Sequence, residues 1–469
     1  MKAKVFRGGV WLGAGSSIEQ LVRFGRNMIL ARILAPEAFG TMAIVLSATT
    51  LINTLTDIGV REAIIQNPRG EEREYISVAY WLSLGRAAAL TAMVFAMAPW
   101  VARFFSNSDL TALLRVTSLG IVIGGATSPA LFVDMKRLKF KYWAILNHGG
   151  AICGVLATIG LSLVIRNVWA LVLGAVAENA ARTILSYVFY PYLPSFTWSR
   201  GASRELVGFS KGLIGLSFLN LVFARADIVV LGKLYSPADL GLYTMAVYLV
   251  QTPVSFLMNL FGQTLMPTFA HVRSDTVREN RILVQITSLI VVLGIPVIAF
   301  LYFCGHSVLG VVYGHRYTAA SGALVVAACV ALFNLANGQI TTIFYARGVP
   351  HLHRRAVALM AAIMIALIYP AAKRYGLLGG QVACLVAVFV GFLFQLARIR
   401  ALTGLELGRY LKIFFVSAAM SLTVPAVYLS SRLWMPLANP AFTIALGVAG
   451  CLLAYVLTTA VLLRGKSFS

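Results

Sequence analysis

The chain has 469 residues, of which 59% are hydrophobic and only 12% charged, and its 39 Lys and Arg against 16 Asp and Glu give a formal charge of +23. A soluble domain carries about twice that charged fraction and roughly 45–50% apolar residues. A mean hydropathy of +0.83 leaves too little polar surface to coat a water-soluble globule, so the chain is expected to be an integral membrane protein. The basic residues lie in short clusters between apolar runs. A nucleic-acid protein would gather them on one polar face, whereas alternating basic clusters orient membrane helices.

From the N-terminus, Lys2, Lys4 and Arg7 precede an apolar stretch that soon meets Glu19, Arg23 and Arg26. A cleaved signal peptide has an uninterrupted apolar core, so this segment reads as a retained first span. A span needs about 20 mainly apolar residues. Fourteen such runs follow one another, starting near Gly9, Phe39, Ile76, Leu110, Trp143, Val168, Leu206, Leu240, Ile282, Thr318, Ala356, Leu377, Tyr410 and Ala441. The N-terminus, the loops near 61–74, 134–141, 191–211, 271–281, 346–355 and 398–412, and the tail hold 25 Lys and Arg. The alternate loops hold 8. That bias places both termini in the cytoplasm.

No loop is long enough to fold as a domain, and no GxxxxGK[ST], HExxH or metal-spaced cluster is present. Chemistry is not expected; passage through the membrane is. The five cysteines are dispersed, without a CxxC pair, and read as small apolar residues. The six histidines add little to this reading, and no cofactor is expected.

Two segments 201 residues apart resemble each other: Arg32-Ile-Leu-Ala-Pro36-Glu-Ala-Phe39-Gly40 and Lys233-Leu-Tyr-Ser-Pro237-Ala-Asp-Leu240-Gly241. Each joins the end of one run to the start of the next. A match between runs 1 and 7 gives two halves of the same orientation, a parallel repeat. The expected division is an N-terminal lobe of six helices (1–195), a second six-helix lobe (196–400), and two accessory helices with a cytoplasmic tail (401–469).

Charge inside a bilayer costs about 2.5–3.5 kcal/mol per residue even on gentle scales, so such side chains should face protein or water. In the first run Ser16, Glu19, Gln20, Arg23, Arg26 and Asn27 fall within an arc of about 120° at helical spacing. Two arginines there face one carboxylate. Arg86, Arg115, Arg182 and Arg225 fall in later runs, with Asp57, Glu178 and Asp227. Glu19–Arg23, Asp57–Arg61 and Glu178–Arg182 have the i,i+4 spacing of helical ion pairs. Arginines outnumber acids in the spans, and guanidinium suits phosphate oxygens, so the expected substrate is anionic.

The run Arg26-Asn27-Met-Ile-Leu-Ala-Arg32-Ile-Leu, the turn Pro36-Glu-Ala-Phe39-Gly40, Asp57-Ile-Gly59 with Ala63, Glu205-Leu-Val-Gly-Phe-Ser210, Asp227-Ile-Val-Val-Leu-Gly232 and Leu240-Gly241-Leu-Tyr243 resemble the polysaccharide transporter family. This family belongs to the multidrug/oligosaccharidyl-lipid/polysaccharide exporter superfamily. The resemblance implies an all-α polytopic membrane protein with 14 transmembrane helices: two parallel-repeat six-helix lobes forming a V-shaped central cavity, plus two accessory C-terminal helices. It implies a flippase in the bacterial inner membrane for undecaprenyl-diphosphate-linked oligosaccharide in exopolysaccharide, capsule or O-antigen synthesis, working as a monomer by alternating access. A polysaccharide polymerase and a chain-length regulator are the expected partners. Arg23 and Arg26 would hold the diphosphate, with Arg86, Arg182 and Arg225 shaping the positive field and Arg115, nearer the outer boundary, a further substrate-binding candidate. Glu19, Asp57, Glu178 and Asp227 are candidates for coupling to a proton or sodium ion. The lipid II flippase of the superfamily has Arg-Asp-x4-Arg in its first helix, where this chain has Asn27. The alternative reading is a cation-coupled multidrug exporter, which would carry carboxylates in excess of arginines.

Overall fold

The computed structural model describes residues 2–55, 59–137, 139–192, 194–210, 214–434 and 440–464. The described residues are almost all helical and contain no strand. An α-helix satisfies its backbone polar groups internally, as lipid requires. The chain forms two compact units, Met1–Gly241 and Leu242–Ser469.

The first unit contains α1 (Lys2–Ile33), α2 (Pro36–Leu55), α3 (Val60–Gln66), α4 (Arg73–Phe104), α5 (Leu110–Gly125), α6 (Ala130–Lys136), α7 (Lys141–Ile165), α8 (Val168–Phe189), α9 (Arg200–Ser210) and α10 (Ile214–Leu234). Helix α11 (Pro237–Val272) begins there and runs on into the second unit. The second unit continues with α12 (Thr276–Val312), α13 (Ser321–Ala346), α14 (Pro350–Thr403), α15 (Leu407–Met420), α16 (Thr423–Trp434) and α17 (Pro440–Arg464).

Among the described residues eight helical segments, one of them α15 continuing into α16, are long and apolar enough to cross a bilayer, and the α5–α6 pair, bent by 59°, brings the number to nine if it is one span. The chain is a multi-pass membrane protein. Part of the difference from the fourteen runs is physical. Glu19, Arg23 and Arg26 make α1 polar along one side. In α14 the backbone leaves the helix at Gly376 (φ 65°, ψ −148°), so the runs expected from Ala356 and Leu377 fall within one 54-residue element. A positive φ of that kind favours glycine. The apolar side chains are turned outward: Leu156, Leu163, Ile184 and Phe415 are 57–74% exposed, a surface that water would not tolerate and lipid does.

The internal repeat takes a definite form. Pro36 opens α2 and Pro237 opens α11, the first-turn position where a missing N–H costs nothing. Gly40 and Gly241 lie one turn further on, both buried. A methyl group on Gly40 would overlap the carbonyl oxygen of Pro237, and one on Gly241 would overlap that of Pro36. Such reciprocity, in which i meets j and j meets i, is the signature of a two-fold relation. The two similar motifs cross each other within the first unit.

Loops assigned to one side by charge counting also meet within this unit. Arg137 donates to Glu71 Oε2 at 2.6 Å, Lys136 Nζ to the carbonyl of Asn67 at 2.7 Å, and Asn67 Nδ2 to Glu205 Oε2 at 2.8 Å. Beneath them α9 packs Ala202 and Leu206 against Val60, Ile64, Tyr75 and Val78. The hydrogen bond from Arg137 holds the exposed Glu71 carboxyl below the usual carboxylate range. Its contribution is therefore present above about pH 4.3 and lost as pH falls through the lowered value. Lys233, from the alternate set of loops, instead donates to the carbonyl of Phe104 at 2.5 Å.

In the second unit, the fully buried Glu279 at the start of α12 accepts three hydrogen bonds from Arg347, at 3.2, 2.9 and 2.6 Å. Nearby, Asn280 Nδ2 donates to the carbonyl of Thr403 at 2.9 Å. Ser417 on α15 donates to the carbonyl of Val291 at 3.1 Å. Phe300 and Cys304 come against Gly447 of α17. The last helices are thus docked on α12.

Gly40→Ala and Gly241→Ala are each expected to destabilise the protein by about 1–3 kcal/mol, because backbone must move to admit the methyl. Gly25→Ala in α1, with nothing within 4 Å of its added carbon, should be neutral or stabilising. Thermal unfolding of the purified protein in detergent checks the contrast; equal midpoints for all three variants would contradict the crossing.

Candidate functional site

The charged residues of α1 and α8 meet across α7, and small residues on α7 make that possible. Gly150 and Gly154 are four apart and so lie on one helix face. A carbon added to Gly150 would overlap the Arg182 stem, and one added to Gly154 would overlap that of Glu178. This small-xxx-small groove lets α8 approach closely, and the Glu178 and Arg182 stems lie along it. On the other side of α7, His148 points its Nε2 edge at Gly15 of α1.

The result is a five-residue network in the first unit. Arg23 Nε donates to Glu19 Oε1 at 2.9 Å, and its Nη2 to Glu178 Oε1 at 2.5 Å. Arg182 Nη2 stands 2.7 Å from Glu178 Oε1 and 3.8 Å from Glu19 Oε1. His148 Nδ1 lies 2.8 Å from Glu19 Oε2. Glu178 keeps 13% of its side chain exposed and His148 15%. Against Glu19, the Nδ1 nitrogen is the donor and Nε2 the acceptor in the neutral ring, a tautomer assigned from the partner.

Glu19–Arg23 and Glu178–Arg182 pair at i,i+4, as their spacing predicts. α1 itself carries one carboxylate for its two arginines, and the structure adds a second: Glu178 arrives from α8 and bridges Arg23 to Arg182. Two guanidiniums face two carboxylates, and with a neutral imidazole the strong charges of the network sum to zero. The reason is tertiary: the positions lie 155 residues apart in sequence, and helical spacing says nothing about which helices become neighbours.

The remaining predicted residues lie elsewhere. Arg26 Nε reaches Asn27 Oδ1 at 3.2 Å, one turn beyond Arg23. Arg86 on α4 donates to the carbonyl and the Oδ1 of Asn53 on α2, at 2.6 and 2.7 Å. The Arg115 guanidinium sits 5.6 Å from the centre of the Phe95 ring. Arg225 and Asp227 are half-buried on α10, where Asp227 Oδ1 accepts from the Ile228 amide at 2.8 Å. Asp57 lies outside the described residues. A separate cavity of about 250 Å³ in the second unit is lined by Asn280, Arg281, Thr403 and Arg409 among others; none of the predicted site residues line it.

Sequence reading missed His148. The available signal was an imidazole in an otherwise apolar helix, followed directly by Gly149-Gly150. A membrane-embedded ionisable residue is a functional candidate by default.

The sequence profile of the family described as polysaccharide biosynthesis protein matches residues 29–322. The chain belongs to this family. It is 22% identical over 403 residues to the lipopolysaccharide biosynthesis protein WzxC of Escherichia coli (strain K12), covering 84% of this chain and 78% of that one. It is 25% identical over 366 residues to the succinoglycan biosynthesis transport protein ExoT of Rhizobium meliloti (strain 1021), covering 77% and 72%. Among solved structures it resembles the lipid II flippase MurJ in its inward closed conformation, with TM-score 0.78, 14% identity and 97% and 98% of the two chains covered. An inward-facing multidrug resistance transporter of the MATE family gives 0.59, with 14% identity over 82% and 95%. The fold is like that of these membrane transporters.

Removing Glu178 leaves two guanidiniums short of a partner. Glu178→Gln is expected to cost about 1.5–3 kcal/mol, the range for hydrogen bonds to charged groups. In a double-mutant cycle with Arg23→Gln, a coupling of roughly 0.5–3 kcal/mol should appear. Strictly additive unfolding midpoints would show that the pair carries no energy.

Proposed function

We propose that this protein is a flippase that carries an undecaprenyl-diphosphate-linked oligosaccharide from the cytoplasmic to the outer leaflet of the bacterial inner membrane, for cell-surface polysaccharide synthesis. The observation that carries the reading is its membership in the polysaccharide biosynthesis protein family, in a chain with the fold of membrane transporters along 97% of its length. The relatives' names point the same way: WzxC to lipopolysaccharide and ExoT to transport of succinoglycan.

In this reading the chain spans the membrane fourteen times with both termini in the cytoplasm. Its first six spans, the next six, and the accessory pair are the functional divisions. The glycan and diphosphate pass through a hydrated path while the polyprenyl tail stays in lipid. Arg23 and Arg182 bind the diphosphate, with Arg26, Arg86 and Arg225 adding positive field and Arg115 at the periphery. Guanidinium forks match phosphate oxygens as they match carboxylates, so the ligand enters by exchange: its oxygens take the places that Glu178 and Glu19 hold in the unliganded network. Alternating access follows when the bound headgroup is held differently in the two states, since a ligand shifts an equilibrium only by its differential affinity. Polymerase and chain-length regulator take the product on the outer side.

The test is translocation in proteoliposomes, read as exposure of a lipid-linked oligosaccharide to an impermeant lectin. Arg23→Gln combined with Arg182→Gln should lower the rate at least tenfold, the scale set by about 1.5–3 kcal/mol per lost charged contact. Arg115→Gln should stay within about fivefold, since a cation–π contact at an exposed site is worth about 0.5–1 kcal/mol. A full wild-type rate in the double variant would rule out the binding role.

A further inference from the structure

We propose that His148 is the proton-binding group of the α1–α7–α8 network, and that its proton is what allows the network to accept a diphosphate. This rests on the reading of the network as an anion site. Among the described residues, Glu19 of α1 touches His148, and Arg23 of α1 with Glu178 and Arg182 of α8 complete the charged groups of its network. Its own helix offers no charge nearer than Lys141. Guanidinium does not deprotonate in proteins, and both carboxylates are already held by guanidinium groups. Imidazole is the side chain whose charge changes between about pH 5 and 8.

The geometry gives the ring two unequal edges. Nδ1 is engaged by Glu19. Nε2 is buried and has no hydrogen-bond partner among the described residues, and it rests against Gly15, where any side chain would displace it. In the neutral ring that edge is a buried acceptor without a partner among the described residues, which already carries a cost. Once protonated it is a donor with nothing to receive it, and an unmade bond from a charged group is expensive. An oxyanion that meets the ring as it leaves Gly15 favours the proton twice over. It offers an acceptor to Nε2–H, and it meets a network whose net charge has risen from zero to +1. By linkage each ligand raises the affinity for the other equally, so diphosphate binding should draw in a proton.

The sign can be tested because the ligand's own ionisation works the other way. A phosphate gains charge as pH rises through about 6, which alone would tighten binding to arginines at high pH. The mechanism requires tighter binding at low pH. The experiment uses the full-length protein in nanodiscs, with undecaprenyl diphosphate and inorganic pyrophosphate as separate probes, from pH 5.5 to 8.5. Wild-type affinity for undecaprenyl diphosphate should fall by up to about tenfold per pH unit on the alkaline side, the slope for one linked proton. Pyrophosphate showing the same slope identifies the headgroup as the linked ligand; a slope with neither probe overturns the proposal. His148→Asn, which keeps a donor for Glu19 but cannot titrate, should lose the slope. Gly15→Ala, which forces the ring out of its notch without changing its chemistry, should shift the midpoint. Proton uptake by the wild type in weak buffer gives the same answer without a variant: close to one proton taken up per ligand supports the proposal, and none or a release overturns it. If His148→Asn keeps the wild-type slope, the proton site is elsewhere while the anion reading stands. If neither probe binds the wild type at any pH, both fail.

Discussion

The structure turns on the pairing of guanidinium with carboxylate inside apolar helices. A charge at mid-membrane is expensive when alone, and Arg23 and Arg182 are not alone: Glu178 receives both of them, at 2.5 and 2.7 Å. Three helices are committed by that arrangement. α7 must carry Gly150 and Gly154 so that α8 can lie close, and α1 must carry Gly15 so that the imidazole fits. The cost of the charges specifies which surfaces meet, because any other packing would strand one of them.

Self-pairing also defines what such a site can do. An open set of arginines would hold a diphosphate tightly and release it slowly. A network that returns to internal neutrality when empty offers the ligand an exchange of partners, with no charge left uncompensated at either end of the cycle. In the proposed function, transport needs binding that can be reversed on the far side, and such an exchange of partners would supply it. The two-fold crossing of Pro36–Gly40 with Pro237–Gly241 lies in the same unit, and its backbone contacts leave no room for even one methyl.

Much of this was legible in the sequence, and the part that was not has an identifiable cause. The apolar runs gave the membrane class, the Pro–Gly spacing picked out the two motifs that cross, and the i,i+4 spacing gave the pairs Glu19–Arg23 and Glu178–Arg182. The break at Gly376 was anticipated by the separate runs from Ala356 and Leu377. These are local features, carried by helical period and turn chemistry. What sequence spacing could not give was the neighbour relation between α1 and α8, which decides that Arg23 has two carboxylates. His148 was passed over because an isolated histidine has no spacing to read; only its meeting with Glu19 gives it meaning. Arg86 and Arg115 were grouped with the others by depth alone, and their partners are Asn53 and the Phe95 ring.

The central claim is that the diphosphate takes the place of Glu178 and Glu19 on the guanidiniums of Arg23 and Arg182. The most direct measurement is a cryo-electron microscopy map of the full chain in nanodiscs with undecaprenyl diphosphate. The account predicts phosphate density among α1, α7 and α8, within hydrogen-bond distance of Arg23 or Arg182, with at least one of these no longer bonded to Glu178. A network still closed upon itself, with the diphosphate held elsewhere in the protein, would contradict it.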